Sequence, residues 1–207
     1  RDPLWSRGLG DVYKRQHYRP SLICGESTHQ NLATGFVIGT RLHSAPVLRV
    51  SDARPVHLGH AGKADGRWRL YAFAGANDLQ DRQAGIHALC EFLSQSHDSP
   101  VRRHTRPGQD VDAVFDVLAI FQQRYTEVAI DRLPGLLLPP KGRFGLRDYE
   151  KVFCPDFKHG PDVFDLRGID RAQGALVVVR PDQYVAHVLP LAAHAELAAF
   201  FRRFMLD

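Results

Sequence analysis

The chain has 207 residues, of which 44% are hydrophobic and 24% are charged, and its formal net charge is +4. A chain of this length buries a real apolar core in one or two domains. No stretch approaches the roughly 18 consecutive apolar residues that a membrane span requires. The composition therefore indicates an ordinary globular protein and excludes a membrane partner.

One dense basic cluster lies between Pro100 and Pro107, within the polar stretch 94–110. Its members are Arg102, Arg103, His104 and Arg106. Proteins that bind single-stranded nucleic acid add aromatic stacking partners to such clusters, and none is present here. We interpret the stretch as a solvated loop and expect no nucleic-acid partner.

Residues 1–16 need separate treatment. Residues 11–16 read DVYKRQ, which matches the conceptual translation of a transposon end that is used as a sequencing adaptor. The segment lacks periodicity and lacks the apolar region of a signal peptide. We predict that 1–16 is a non-native sequencing or assembly artefact, or a disordered tail.

Residues 17–66 are rich in polar residues, glycine and proline. Within them, the alternation in Pro46–Val50 is typical of an edge strand. Three histidines, His43, His57 and His60, are candidate metal ligands, but Gly59 argues against the helix that would bring His57 and His60 together. Surface histidines before a turn are the favoured interpretation, so no metal site is predicted.

A strand, a helix and a second strand follow from residue 67 onward. The strand runs from Trp68 to Ala74, and Asn77 or Asp78 is placed to cap the helix. The apolar stripe of that helix comprises Ile86, Leu89, Cys90 and Leu93. The second strand, 114–121, is apolar enough for the centre of a sheet, which predicts a right-handed βαβ unit with parallel strands.

A long insertion then precedes the last elements. Leu136–Leu138, Phe144 and Tyr149 make it apolar, so it must pack on something. Packing on its own domain is favoured, and a subunit or interdomain surface is the alternative. Within it, 148–153 is predicted as one or two helical turns and 164–168 as a short edge strand.

The closing elements are the clearest in the chain. The apolar run Ala175–Val179 predicts a strand that is covered on both faces. Residues 180–183 are predicted to form a turn, and residues 184–189 are predicted to form a second strand. The terminal helix carries Leu197, Phe200, Phe201 and Phe204 at helical spacing. The resulting order is β-α-β-α-β-β-α in an α/β fold with a central mixed sheet. Several α/β folds share this order, so propensity alone leaves the choice among them open.

No residue pattern predicts chemistry. Cys24, Cys90 and Cys154 are far apart and form no Cys-x-x-Cys pair, which excludes a redox dithiol and favours a reduced, cytoplasmic setting. Nucleophile-elbow, dinucleotide and phosphate-loop motifs are absent from the sequence. Asp182 and Tyr184 are a conceivable acid–base pair, but a turn carboxylate and a packed ring explain them more simply. We predict no catalytic, cofactor-binding or metal-binding residue.

The hairpin region also resembles a known family. Gly168-Ile169-Asp170, Leu176–Asp182 and Tyr184-Val185 are similar to the final domain of the flavin-dependent aromatic hydroxylases, in the branch of phenol 2-monooxygenase and 3-hydroxybenzoate 4-hydroxylase. The resemblance covers about 17–207. It implies a thioredoxin-like fold without redox cysteines and a contribution to a homodimer interface. It also implies a parent enzyme that uses FAD and NADPH, held by preceding domains.

The sequence and the resemblance together predict the domain organisation. Residues 17–66 would be a linker from the missing FAD and substrate-binding region, poorly ordered without it. Residues 67–207 would form a self-sufficient thioredoxin-like domain with a structural and dimerisation role and no activity alone. The alternative is a free-standing thioredoxin-like binding module that has lost its cysteines.

Overall fold

The computed structural model describes residues 16–206, so the prediction for residues 1–15 lies outside the described part of the chain. Two β-sheets are present in this part, one of seven strands and one of two. Within residues 16–206, no helix has the length and apolar character that crossing a membrane requires.

The strands and α-helices of the described residues are numbered in chain order. The strands are β1 Pro46–Arg49, β2 Arg54–His57, β3 Trp68–Phe73, β4 Phe115–Ile120, β5 Pro140–Lys141, β6 Leu146–Arg147, β7 Val152–Cys154, β8 Ala175–Val179 and β9 Val185–Leu189. The α-helices are α1 Leu58–Ala61, α2 Gly85–Gln95, α3 Pro100–His104, α4 Val163–Leu166 and α5 His194–Arg202.

The large sheet is mixed, in the order β2-β1-β7-β4-β3-β8-β9. Strands β3 and β4 are parallel, as are β4 and β7, whereas β8 runs antiparallel to both β3 and β9. The βαβ unit, the hairpin and the terminal helix all lie in the predicted order. The thioredoxin-like arrangement with a central mixed sheet is therefore confirmed.

The central strands are covered on both faces. Every residue of β4, β8 and β9 is buried, and in β3 only Trp68 is partly exposed. One face packs against α2, α5 and the insertion. The insertion contributes Leu133, Leu136, Leu137 and Leu138. The prediction that this part of the insertion packs on its own domain is confirmed.

The opposite face is covered mainly by the segment that precedes β3. Its contribution is Cys24, Leu32, Ala33, Phe36, Ile38, Ala45, Val47 and Leu58, which pack against Tyr71, Phe73 and the valines of the hairpin. Strands β1 and β2 extend the same sheet. The expectations that 17–66 is poorly ordered and that 67–207 covers its own apolar faces are therefore wrong. Where the domain begins in a longer protein stays a prediction.

Two local predictions in the second half of the chain are also wrong. Residues 164–168 do not form a strand, because the Asp162 side chain accepts a hydrogen bond from Phe164 N at 2.8 Å and starts helix α4. Residues 148–153 are not helical, because Val152 and Phe153 enter the sheet as β7 between β1 and β4. Pairing within the sheet overrides the local helical preference.

Four further features of the first half differ from expectation. Helix α2 begins at Gly85, and Asp78 caps it from a distance by accepting from Ile86 N at 3.3 Å. Stretch 94–110 contains helix α3, with Ser99 as its N-cap and Pro100 in its first turn. Helix α1 forms despite Gly59. Strand β1 is an inner strand, with β2 at the edge.

The segment that precedes β3, called the N-terminal segment below, is held against strand β9 by backbone hydrogen bonds. Gly25 N donates to Ala186 O at 2.7 Å, and Gly39 N donates to Val185 O at 2.8 Å. A Cβ at Gly25 would lie 2.6 Å from the His187 ring, so only glycine allows this approach. The segment therefore covers the outer edge of β9.

The buried Phe36 tests whether this segment belongs to the core. Its ring packs 5.5 Å from the Phe73 ring on β3, whereas the adjacent Val37 is 39% exposed. Phe36→Ala should lower the free energy of unfolding by about 3 kcal/mol, the cost of a large buried cavity. Val37→Ala should change it by less than about 0.5 kcal/mol. Equal, small effects in urea denaturation would show that the segment is not part of the folded unit.

Buried His187 predicts a dependence of stability on pH. Burial lowers its pKa to about 4, and its Nδ1 accepts a hydrogen bond from Val188 N at 3.0 Å, which requires the neutral ring. The unfolded chain, with a histidine pKa of about 6.5, then binds more protons between pH 6.5 and 4, so stability falls as the pH falls through this range. We expect a loss of about 3 kcal/mol from this group between pH 7 and pH 4.

The control is His187→Gln, which cannot titrate. Denaturation curves of the two proteins between pH 7 and pH 4 should differ in slope, with the variant less sensitive to pH. Identical slopes would contradict a neutral, buried His187.

Candidate functional site

A cluster of buried charges lies at the start of strands β3 and β4. Arg69 on β3 and Asp116 on β4 are register partners, and both are at most 4% exposed. The cluster, called the charge cluster below, consists of Asp65, Arg67, Arg69, Asp112, Asp116, Lys141 and Lys151. Burying these groups is tolerable only because each has an opposite charge beside it.

Asp112 is the centre of the charge cluster. Its carboxylate accepts hydrogen bonds from Lys151 Nζ at 2.7 Å, from Lys141 Nζ at 2.5 Å and from Arg67 Nη1 at 3.0 Å. Lys151 also donates to Asp116. One carboxylate therefore connects the strands of the sheet to both lysines of the insertion.

Burial and neighbouring charges shift the pKa values of Asp112 and Lys151 in opposite directions. Burial would raise the pKa of Asp112, but the hydrogen bonds and positive charges of Lys141 and Lys151 outweigh it and lower that pKa. Burial would likewise lower the pKa of Lys151, but Asp116 and Asp112 raise it. Arg69 Nε lies 3.1 Å from Asp116 Oδ2 without hydrogen-bond alignment, so that contact is purely electrostatic. The carboxylate of Asp112 and the ammonium group of Lys151 are therefore both stabilised in their charged forms.

The charge cluster holds both ends of a projecting hairpin, residues 139–150, called the arm below. Lys141 and Lys151 stand at its two ends, and Gly142 N donates to Asp110 Oδ1 at 2.9 Å. Strands β5 and β6 pair within the arm, and Gly142 and Gly145 have positive φ of 63° and 61° at its turn. The base of the arm is therefore rigidly placed while its tip projects.

The tip of the arm is apolar and exposed. Phe144 is 78% exposed, Leu146 is 72% exposed and Tyr149 is 46% exposed. Beside the arm is an open hollow of about 660 Å³, lined by Val128, Ile130, Asp131, Leu133, Leu138, Arg147 and Tyr149. The insertion was predicted to pack on its own domain; Leu136–Leu138 and β7 do so, whereas the arm between them does not. Exposed apolar groups of this size mark an association surface.

The carboxylate of Asp182 and the ring of Tyr184 have the positions predicted for them, in a turn and in a packed contact. Asp182 accepts from Tyr184 N at 3.4 Å and pairs with Arg180 at 2.5 Å, across the β8–β9 turn. Tyr184 is 5% exposed, and its ring stacks edge-on against Tyr18 at 4.9 Å. Arg180, whose partner the sequence did not reveal, also lies 4.7 Å over the Tyr18 ring. These residues anchor the N-terminal segment at the turn.

The histidine and cysteine candidates form no metal or redox site. The rings of His57 and His60 are 5.6 Å apart, and in the part of the chain that the structure describes no group of three or more His, Cys, Asp or Glu side chains could hold a metal ion. Cys24, Cys90 and Cys154 are all free and buried. Burial raises the pKa of the Cys90 thiol to about 12, which makes it a weak nucleophile.

Three of the four basic residues near Pro100, Arg102, Arg103 and His104, lie in helix α3, and Arg106 follows it. Arg102 Nη1 donates to Gln95 O at 2.5 Å at the end of α2. Basic residues in the last turn of a helix are favoured by its dipole. That the chain supplies no catalytic, cofactor or metal-binding residue stays a prediction.

The sequence contains a signal for the charge cluster. Asp116 interrupts an otherwise apolar strand, and Arg69 does the same in its neighbour. Because adjacent parallel strands align their residues, opposite charges at matching positions of two buried strands predict a buried pair. The exposure of the arm has no comparable signal, since Leu136 and Phe144 are equally apolar in sequence.

Replacing Asp112 tests the charge cluster. Asp112→Asn would leave Lys151 and Lys141 without their shared carboxylate, and we expect a loss of about 3 kcal/mol in the free energy of unfolding. The control is Asp98→Asn, which removes an exposed partner of Arg202 and should cost less than about 0.5 kcal/mol. A loss at Asp112 no larger than that at Asp98 would contradict a buried, stabilising role.

Curated proteins of similar sequence align with most of this chain. The chain is 65% identical over 190 residues to 3-hydroxybenzoate 4-monooxygenase of Comamonas testosteroni, which covers 91% of the chain and 30% of that protein. It is 34% identical over 194 residues to an FAD-dependent monooxygenase of Aspergillus terreus, covering 91% of the chain and 31% of the relative. A phenol 2-monooxygenase of Aspergillus fumigatus is 27% identical over 192 residues, 89% of the chain and 30% of the relative. The chain thus spans about a third of the length of the curated relatives it matches.

Solved structures with a similar fold are more distant. A thiol peroxidase from Chromobacterium violaceum is 12% identical with a TM-score of 0.48, covering 79% of this chain and 85% of that one. A flavin-dependent monooxygenase solved with FAD and substrate is 15% identical with a TM-score of 0.45, covering 90% of this chain and 24% of that one.

The family model described as "Phenol hydroxylase, C-terminal dimerisation domain" matches residues 16–207. The match covers nearly the whole chain, including the N-terminal segment, the arm and the hairpin. The chain belongs to the family of phenol hydroxylase C-terminal dimerisation domains.

Proposed function

We propose that this chain is the C-terminal part of an FAD-dependent monooxygenase that hydroxylates an aromatic ring, and that it supplies scaffold and subunit contacts to a homodimer. The observation that carries this proposal is the 65% identity to 3-hydroxybenzoate 4-monooxygenase, which extends over 91% of the chain. The family description names dimerisation as the role of the matched domain. A phenol-like compound is the substrate class of the parent enzyme in this proposal.

The division of labour within the parent enzyme forms part of the proposal. FAD and NADPH are bound by preceding domains, and this chain contacts neither. Two observations support the absence of a cofactor contact in this proposal. The charges of the charge cluster are paired with one another, and the three cysteines are buried thiols. The setting is cytoplasmic, in keeping with three unpaired cysteines. The alternative of a free-standing binding module has no observation in its favour.

The proposal is tested by the mass and absorbance of the purified chain. Sedimentation equilibrium should show a species of twice the 23.3 kDa mass of one chain at micromolar concentration. The same sample should show no flavin absorbance, and added FAD should pass through it unbound in equilibrium dialysis. Flavin retained in a one-to-one ratio would contradict a scaffold role, and a monomer at all concentrations would contradict a dimerisation role.

A further inference from the structure

The edges of the large sheet are not available for joining two copies. The outer edge of β9 is covered by the N-terminal segment, through Gly25 and Gly39. The opposite edge is β2, where Pro55 has no N–H to donate to a new strand. Both features disfavour sheet extension and favour association of two copies through side chains.

The arm and the hollow together form a surface that can pair with itself. The arm offers two projecting apolar side chains, Phe144 and Leu146, and the hollow beside it is lined mainly by Val128, Ile130, Leu133 and Leu138. A two-fold symmetric contact requires each copy to present both a projection and its complement on one surface. Tyr149 and Arg147 belong to the arm and also line the hollow, so the two features are contiguous.

The charges around this surface are complementary as well. Arg143 lies 5.0 Å over the ring of Phe144 at the tip of the arm, and no carboxylate of the described residues pairs with it. Asp131 lines the hollow, is exposed, and has no cationic partner within residues 16–206. The hollow is also lined by Arg147, and Asp131 is the one acidic side chain among its described lining residues. A basic tip and an exposed carboxylate in the hollow favour the exchange of arms between two copies.

We propose that two copies of this chain associate by exchanging arms, with Phe144 and Leu146 of each copy seated in the hollow of the other and Arg143 facing Asp131. This inference rests on the proposed dimerisation role and assigns it a surface. The charge cluster serves this contact, because Lys141 and Lys151 fix the base from which the arm projects. A fixed base lowers the entropy lost when the arm docks.

The test compares matched substitutions in the 207-residue chain by sedimentation equilibrium. Phe144→Asp together with Leu146→Asp should weaken the dimer about 100-fold, as loss of apolar anchors does at an interface. The control is Phe157→Asp, at a side chain that is 52% exposed outside the arm and the hollow, and it should leave the dimer unchanged. Circular dichroism and thermal unfolding of each variant confirm that the monomer stays folded.

Exchanging the two charges tests whether association can be restored. Arg143→Glu should weaken the dimer about 10-fold, and adding Asp131→Lys to it should restore association. A dimer that survives the Phe144 and Leu146 substitutions, or that is lost only in Phe157→Asp, would overturn the assigned surface and leave the dimerisation role standing. A wild-type chain that is monomeric throughout would overturn both.

Discussion

Strands β3, β4, β8 and β9 bury nearly every side chain, so neither face of the central sheet can remain in contact with water. Helices α2 and α5 and the insertion cover one face. The other face depends on residues that precede β3, chiefly between Cys24 and Leu58. This constraint explains why the N-terminal segment, which has little regular structure, is nonetheless packed and fastened to β9.

The same sheet carries buried charge, and this determines where the arm lies. Arg69 and Asp116 on β3 and β4 could not be buried without partners, and Asp112, Lys141 and Lys151 complete the network. Both lysines lie at the base of the arm. The network therefore ties the exposed apolar arm to the buried central strands.

Much of the fold was predictable because its signals are local. The valine-rich run Ala175–Val179, the turn at Pro181 and the phenylalanine spacing of the last helix each specify one element. These elements and their order were predicted correctly. The family resemblance, carried by the same hairpin, predicted the dimerisation role.

The errors arose where distant contacts decide the structure. Phe36 lies among glycines with no periodic neighbours, and only its contact with Phe73 makes it part of the core. Residues 152–154 join the sheet by pairing with β1 on one side and β4 on the other. Local propensity does not encode these pairings. The arm is similar: Phe144 becomes an association candidate only once the fold leaves it outside the core.

Hydrogen exchange measured by mass spectrometry at several chain concentrations tests the account most directly. As the concentration rises, amides of the arm and of residues 128–138 should gain protection together, while those of strand β2 should not change. A protection pattern independent of concentration, or one that rises at β2 and leaves the arm unaltered, would contradict the account.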